Sequence, residues 1–215
     1  MASRCCRCAG RADAQTNRRP PSTLRHRFGC PQGSCPMKTA TAVLRHEHEA
    51  IVLALRILAE IDRHAIAHDP VERQDLQALV DFLAEFADTC HHGKEEQLLF
   101  PRLAQTGNPK VQHTVERLLP EHVRGRHWIG KMRQALQPLR PEAFHEAARA
   151  YAQLLLTHIE QENTVLFPMA EQLLSTEELI ALSREFDTFE RQVMGPERHE
   201  ALHDLLSRLQ TRYSI

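Results

Sequence analysis

The chain lacks the features that mark several large classes of protein. Its 27 Lys and Arg nearly balance 28 Asp and Glu, so nothing in its charge favours binding to nucleic acid or to an anionic membrane surface. No apolar run approaches the roughly 20 residues that a membrane-spanning helix needs. With only 8 glycines and 5% aromatic residues, the sequence is dominated by helix-forming residues such as Ala, Leu, Glu and Arg.

Cysteine is almost confined to the N-terminus, where five of the six cysteines lie within residues 1–36. They include one C-x2-C and one C-x4-C pair, spacings that a small zinc knuckle can use. The segment between the pairs shows no helix or strand pattern, so we expect residues 1–36 to be a disordered tail, or an extension upstream of a true start at Met37. The rest of the chain has one cysteine, Cys90, which is typical of a cytoplasmic protein.

Apolar residues recur at helical spacing from residue 38 onward. The pattern predicts four long helices at about 38–68, 71–105, 110–137 and 142–174. Ser175, with Glu178 three residues later, predicts a capping box that begins a shorter helix, and a last helix follows at about 197–210. We therefore expect an all-α fold: an antiparallel up-down-up-down four-helix bundle over residues 37–174, with short C-terminal helices over 175–215 packed on it.

One phrase occurs twice in the sequence, as HHGKEEQLLFP and as HIEQENTVLFP. The two copies align without a gap and pair His91 with His158 and Glu95 with Glu162. Each copy ends in a proline inside a helical pattern, which should kink or tighten the helix. The repetition predicts that two helices contribute equivalent His-x3-Glu arms to one site.

Helical periodicity selects the side chains that face the interior, because a residue shares its face with positions three, four and seven away. By this criterion the interior-facing candidates are His48, His91, Glu95, His122, His158 and Glu162. At about 1.5 Å per residue, the four histidines lie within roughly one or two turns of a common level in an antiparallel bundle, with the glutamates one turn away. The same reasoning places Glu47, His92 and Glu96 at the surface, with an extra metal ligand beside His48 as the alternative for Glu47, and leaves Arg126 near the inner stripe.

This set of side chains favours a metal site. A single histidine at such a position is more often a hydrogen-bonded core residue, but buried carboxylates must be paired, protonated or bound to a cation. Histidine and carboxylate together suit iron or manganese, and zinc is an alternative. Bundles hold two-metal carboxylate sites in this position, so we expect a binuclear site bridged by Glu95 and Glu162.

With these residues in view, the chain resembles the hemerythrin-like (HHE cation-binding) domain family over about residues 37–174. The matching pieces are LRHEHEAI, HHGKEEQLLFP, PEHVRGRHWIGKM and HIEQENTVLFPMAEQLL. The resemblance implies a four-helix bundle with a non-heme di-iron centre that meets dioxygen, nitric oxide or peroxide. By position, the implied ligands are His48, His91, Glu95, His122, His158 and Glu162.

The chain departs from the oxygen-carrying members, which use five histidines, a glutamate and an aspartate. Arg126 stands where the carriers place a further histidine, and Glu162 replaces the aspartate. Fewer nitrogen ligands would leave open positions on the iron. This weakens the case for reversible oxygen carriage and leaves room for peroxide chemistry, gas sensing or iron handling.

Three functions remain open from the sequence. The first is a di-iron protein that binds or consumes small oxidants, including an enzyme that disproportionates peroxide. The second is a non-catalytic sensor or iron buffer whose C-terminal helices move with the metal state. The third is a structural bundle with a zinc site. His199 and His203, one turn apart near the C-terminus, are either a lid contact, a support for a metal-bound imidazole, or an ordinary helix surface.

Overall fold

Six helices make up the part of the chain that the computed structural model describes, residues 38–66 and 71–215, with the backbone alone at 65 and 66. They are α1 (Ala40–Ile66), α2 (73–104), α3 (Pro109–Ala135), α4 (141–173), α5 (Thr176–Val193) and α6 (Pro196–Arg212). These ranges contain no β-strand, so the predicted all-α class is confirmed. The cysteine pairs and the predicted end of the first helix near residue 68 lie outside the described residues.

The four long helices surround a shared interior. Helix α1 contacts α2 and α4, and α3 contacts the same two neighbours, while α5 and α6 lie against α1 and α2. None of the described helices combines the length and apolar character that crossing a membrane requires. The arrangement is a helical bundle with two further helices against one side.

Two of the helix starts follow directly from local sequence. Asn108 accepts hydrogen bonds from two backbone N–H groups in the first turn of α3, and Pro109 occupies the first helical position. The predicted capping box at the start of α5 is confirmed: the Ser175 hydroxyl accepts from the Glu178 backbone, and the Glu178 carboxylate accepts from the Ser175 backbone. These caps fix where the chain turns and therefore how the helices enter the bundle.

Two apolar clusters fill the interior, and a polar layer separates them. Segments 50–61, 76–87, 129–136, 144–159 and 202–213 contribute the large core cluster. Segments 40–44, 99–103, 111–118, 166–174 and 179–186 contribute the small core cluster. On every long helix the predicted ligands lie where one cluster gives way to the other. The fold thus places these polar side chains at one level.

Helices α2 and α4 widen into π-helix near the repeated phrases, at Leu83–His92, Glu95–Leu99 and Glu162–Leu166. A π-helix bonds each N–H to the carbonyl five residues earlier, so it turns less per residue than an α-helix. The helix is therefore wider at each copy of the phrase, whereas the sequence predicted a kink or a tighter turn at Pro101 and Pro168. A proline lacks the N–H and its ring collides with the carbonyl four residues back, and the wider turn relieves both.

Gly93 marks the closest approach of α5 to α2. A Cβ atom added to Gly93 would lie 2.8 Å from Cζ of Phe189, well inside van der Waals contact. Gly93 is buried between His92 and Lys94. Only a residue without a side chain lets α5 pack this closely against the stretch of α2 that carries the predicted ligands.

Gly93→Ala should lower the free energy of unfolding by about 1–3 kcal/mol, because the new methyl group overpacks this contact. Gly130→Ala is the matched control, since nothing lies within 4 Å of its Cβ position in α3. The control should instead raise stability by roughly 0.5–1 kcal/mol through its helix propensity. Thermal unfolding measures both changes, and equal midpoints for the two variants would contradict the close contact.

Candidate metal centre

Seven buried side chains of the polar layer bring their donor atoms into two overlapping groups. The first group is His48, His91, Glu95 and Glu162, and the second is His92, Glu95, His122 and His158. Within each group the donor atoms all lie within 4.8 Å of one another. The structure thus brings together all six residues named from the sequence and adds His92.

The two glutamates divide their oxygens between the two groups of imidazoles. The contacts, from carboxylate oxygen to imidazole Nε2, are 3.7 Å from Glu95 to His91, 3.6 Å from Glu95 to His122, 3.2 Å from Glu162 to His48 and 3.1 Å from Glu162 to His158. In each glutamate a different oxygen makes each of its two contacts. Such a carboxylate can serve two ions at once.

Several of these donor atoms have unsatisfied lone pairs. In the described ranges, Nε2 of His48, Nε2 of His91 and all four oxygens of Glu95 and Glu162 are buried without a hydrogen-bond partner. An unsatisfied buried polar group costs roughly 1–3 kcal/mol, and a buried charge costs more. Six such atoms in one place would make a poor core, but they fit bound cations.

Each imidazole presents Nε2 to the interior because a side-chain oxygen engages its Nδ1. The Nδ1-to-oxygen contacts are 3.1 Å from His48 to Asn163, 2.8 Å from His91 to Glu47, 3.4 Å from His92 to Asp88, 2.8 Å from His122 to Glu96 and 2.9 Å from His158 to Glu121. An acceptor on Nδ1 favours the tautomer that carries its proton there and leaves the Nε2 lone pair for a metal.

Four of these contacts run in a closed ring around the bundle. The contacts join Glu47 of α1 to His91 of α2, Glu96 of α2 to His122 of α3, Glu121 of α3 to His158 of α4, and Asn163 of α4 to His48 of α1. Each acceptor is the chain neighbour of a candidate ligand. Every long helix therefore supplies a ligand and also orients a ligand of the next helix.

His92 is the candidate ligand that the sequence analysis missed. Its predicted surface position is wrong: the residue is 2% exposed, and its ring stacks on that of His122 with 3.9 Å between centroids. The prediction assumed 3.6 residues per turn, whereas this stretch of α2 is π-helical and turns less per residue. The two adjacent histidines can then both face the interior, and the HH pair itself was the available signal.

Helical periodicity misplaced Glu47, Glu96 and Arg126 for a different reason. Glu47 was predicted at the surface but is buried against His91, and Glu96 is half-buried. Arg126 was placed near the inner stripe, yet its side chain is 41% exposed and its guanidinium lies 2.9 Å from Asp88 and 3.0 Å from Glu96. A residue beside a ligand points sideways toward the next helix, so its role depends on a neighbour that periodicity does not identify.

Burial and mutual repulsion set the charge state of the site. Burial, with the nearby Glu162 carboxylate, raises the pKa of Glu95 well above its ordinary value. Burial also opposes ionisation of Glu162, but His158 holds the pKa of Glu162 well below its usual range. In turn, and against burial, Glu162 raises the pKa of His158 to about 9. Burial lowers the pKa of His91 to about 4, so this imidazole is neutral at pH 7.

A cleft of about 470 Å³ reaches the site from the surface between α1 and α4. His48 and Asn163 line it, together with the guanidinium-bearing side chains Arg45 and Arg56. Tyr151 is buried in the large core cluster, and among the described residues its hydroxyl has no hydrogen-bond partner. The cleft therefore borders the His48 side of the site.

Comparison with known proteins agrees with this geometry. A family model described as the Hemerythrin HHE cation binding domain matches residues 39–170, which confirms the resemblance seen in the sequence. Uncharacterized proteins of Mycobacterium tuberculosis and Mycobacterium bovis are 26% identical over 215 residues, covering 97% of this chain and 80% of theirs. No solved structure matches the chain.

His92→Ala should lower the metal content of the purified protein about as much as His122→Ala, because each removes one buried imidazole from the same group. His113→Ala is the control, since His113 is an exposed residue of α3 outside both groups. Elemental analysis of the three variants makes the comparison. Full metal content in His92→Ala would show that the six residues named from the sequence suffice.

Metal loading at pH 7 should release protons. Ligands bind deprotonated, whereas His158, with a pKa of about 9, holds a proton at that pH. The raised pKa of Glu95 acts in the same direction. Apparent affinity should therefore rise with pH up to about 9, where His158 no longer needs to lose a proton. Calorimetric titrations in buffers of different ionisation enthalpy count the protons, and a heat independent of the buffer would contradict the charge states.

Proposed function

Because the chain belongs to the hemerythrin (HHE cation-binding) family, we propose that its polar layer holds a non-heme di-iron centre. The observation that carries the proposal is the convergence of inward-turned imidazoles on four carboxylate oxygens that lack partners among the described residues. The proposed ligands of one iron are His48 and His91, and those of the other are His92, His122 and His158. Glu95 and Glu162, each with one oxygen near either group of imidazoles, would hold both ions.

The choice of iron rests on the family and on the donor set. Imidazole with carboxylate suits iron or manganese, whereas structural zinc sites are usually four-coordinate and rich in cysteine. The candidate groups contain no cysteine, and Cys90, the cysteine within the described ranges, lies outside both. Manganese or zinc occupancy is the alternative that metal analysis distinguishes.

The proposed topology is an antiparallel up-down-up-down bundle. Its support is the order of the two core clusters along the chain. Helix α1 runs from the small cluster to the large one, α2 from large to small, α3 from small to large and α4 from large to small. Successive long helices therefore cross the polar layer in opposite senses, which lets ligands near one level come from all four.

The proposed chemistry is the binding of, or reaction with, dioxygen, nitric oxide or peroxide. When bound, iron supplies redox chemistry and a coordination position for such a molecule. The side chains orient the imidazoles through their Nδ1 contacts and keep water out by burial, while the cleft beside His48 offers the path inward. With His92 the site has five imidazoles, the number in oxygen carriers, so the sequence-based argument against reversible oxygen binding loses its basis.

A sensor or iron buffer without turnover is the second candidate function. The observation that favours it is a series of ionic contacts from His91 to α5, which can report the metal state to the outer helices.

For either function we propose a cytoplasmic location. The support is that the 179 residues from Met37 contain a single cysteine, which is typical of proteins in a reducing compartment.

Metal analysis tests the proposal first. The protein made in iron-replete cells and purified without oxygen should contain about two irons per chain, as in two-metal carboxylate bundles. Hydrogen peroxide is then added to the iron-loaded protein. Rapid oxygen evolution supports an enzyme, and its absence, with nitric oxide binding retained, supports a sensor or buffer. One zinc ion, or no metal after iron reconstitution, would contradict the di-iron proposal.

A further inference from the structure

A buried lysine joins the bundle to the C-terminal helices. Lys94 of α2 is 1% exposed, and its ammonium contacts Glu47 of α1 and lies 2.6 Å from Oε2 of Glu190 of α5. Burial disfavours a charged amine, but the two carboxylates outweigh it and raise the pKa of Lys94 above its ordinary value. The ammonium is therefore held between one carboxylate from the bundle and one from α5.

The contacts continue in both directions from Lys94. On the inner side, Glu47 accepts from Nδ1 of His91 at 2.8 Å. On the outer side, Nε2 of His199 of α6 lies 3.6 Å from the second oxygen of Glu190. One series of polar contacts thus runs from a candidate metal ligand to both C-terminal helices. His199, undecided from the sequence, is the outer member of this series.

Backbone packing brings α5 against the same segment of α2, independently of the ionic contacts. Phe189 and Glu190 are adjacent on α5, and they face Gly93 and Lys94, which are adjacent on α2. The Gly93–Lys94 pair lies between the candidate ligands His92 and Glu95 in the chain. Helix α5 therefore rests directly on the segment that carries the ligands, through one apolar and one ionic contact.

We propose that Glu190 is a positioning residue of the metal centre, and that the docking of α5 and the retention of metal are coupled through Glu190, Lys94, Glu47 and His91. This inference rests on the proposed metal-binding function. Without Glu190, Lys94 keeps one carboxylate partner and water reaches it, so Glu47 holds the His91 ring less firmly. Because coupling is reciprocal, bound metal in turn stabilises docked α5.

Iron release from the loaded full-length protein tests whether Glu190 helps to retain the metal. In Glu190→Gln, transfer of ferrous iron to a chelator should be about tenfold faster, at the low end of the 10–100-fold effects typical of groups that orient ligands. Glu185→Gln is the matched control, because Glu185 lies on the same helix and forms a surface ion pair with Arg102. The control should release iron at the wild-type rate. Equal rates in all three proteins would overturn the proposal.

A double-mutant cycle separates positioning from loss of stability. In a Glu47→Ala background the acceptor for His91 is gone and the connection is already cut, so adding Glu190→Gln should not accelerate release further. Full additivity of the two effects would mean that Glu190 acts only through general stability, and would overturn the proposed route. Thermal unfolding of each variant confirms that the compared proteins are folded.

Hydrogen exchange tests the reciprocal claim, that bound metal stabilises docked α5. Amides of α5 should exchange more slowly in the iron-loaded than in the metal-free protein, and Glu190→Gln should abolish that difference while Glu185→Gln preserves it. Metal content is measured on the same samples. Full iron loading with unchanged exchange would overturn this inference alone, whereas failure to bind iron would overturn the proposed function together with it.

Discussion

Two carboxylates, Glu95 and Glu162, are fully buried at the centre of the bundle, and none of their four oxygens has a hydrogen-bond partner within the described ranges. Isolated charges in such a place are among the most costly features a protein interior can contain. Burial drives the pKa of Glu95 up, while His158 drives that of Glu162 down, so the surroundings push the pKa values of the two carboxyl groups apart. The proposed cations would remove this conflict, which lies in the polar layer between the two apolar clusters.

The ring of Nδ1 contacts explains how four separate helices maintain one site. Each of the four imidazoles in this ring is oriented by an oxygen on an adjacent helix, and each of the four ring acceptors is the chain neighbour of a candidate ligand on its own helix. A displacement of one helix therefore disturbs both its own ligand and that of the next. The same logic extends to α5, because Glu47 orients His91 and is itself held by Lys94.

Much of the site was predictable from the sequence because the repeated His-x3-Glu phrase and the 3.6-residue period fix which side chains share a face. His92 was not, since periodicity assumes α-helix and this part of α2 is π-helical. The choice of π-helix in this stretch depends on packing against the other helices, which helical periodicity does not specify. Glu47 and Glu190 were also beyond reach, because their partners lie 44 and 96 residues away in the chain.

Extended X-ray absorption spectroscopy on the iron-loaded protein tests the central claim most directly, since it reports the neighbours of iron without assuming a function. The account predicts an iron–iron vector of about 3.5–4 Å, as in two-metal sites, and imidazole scattering equivalent to five histidines shared by two ions. A spectrum without an iron–iron vector, or with imidazole scattering absent, would contradict a binuclear centre formed by these seven side chains.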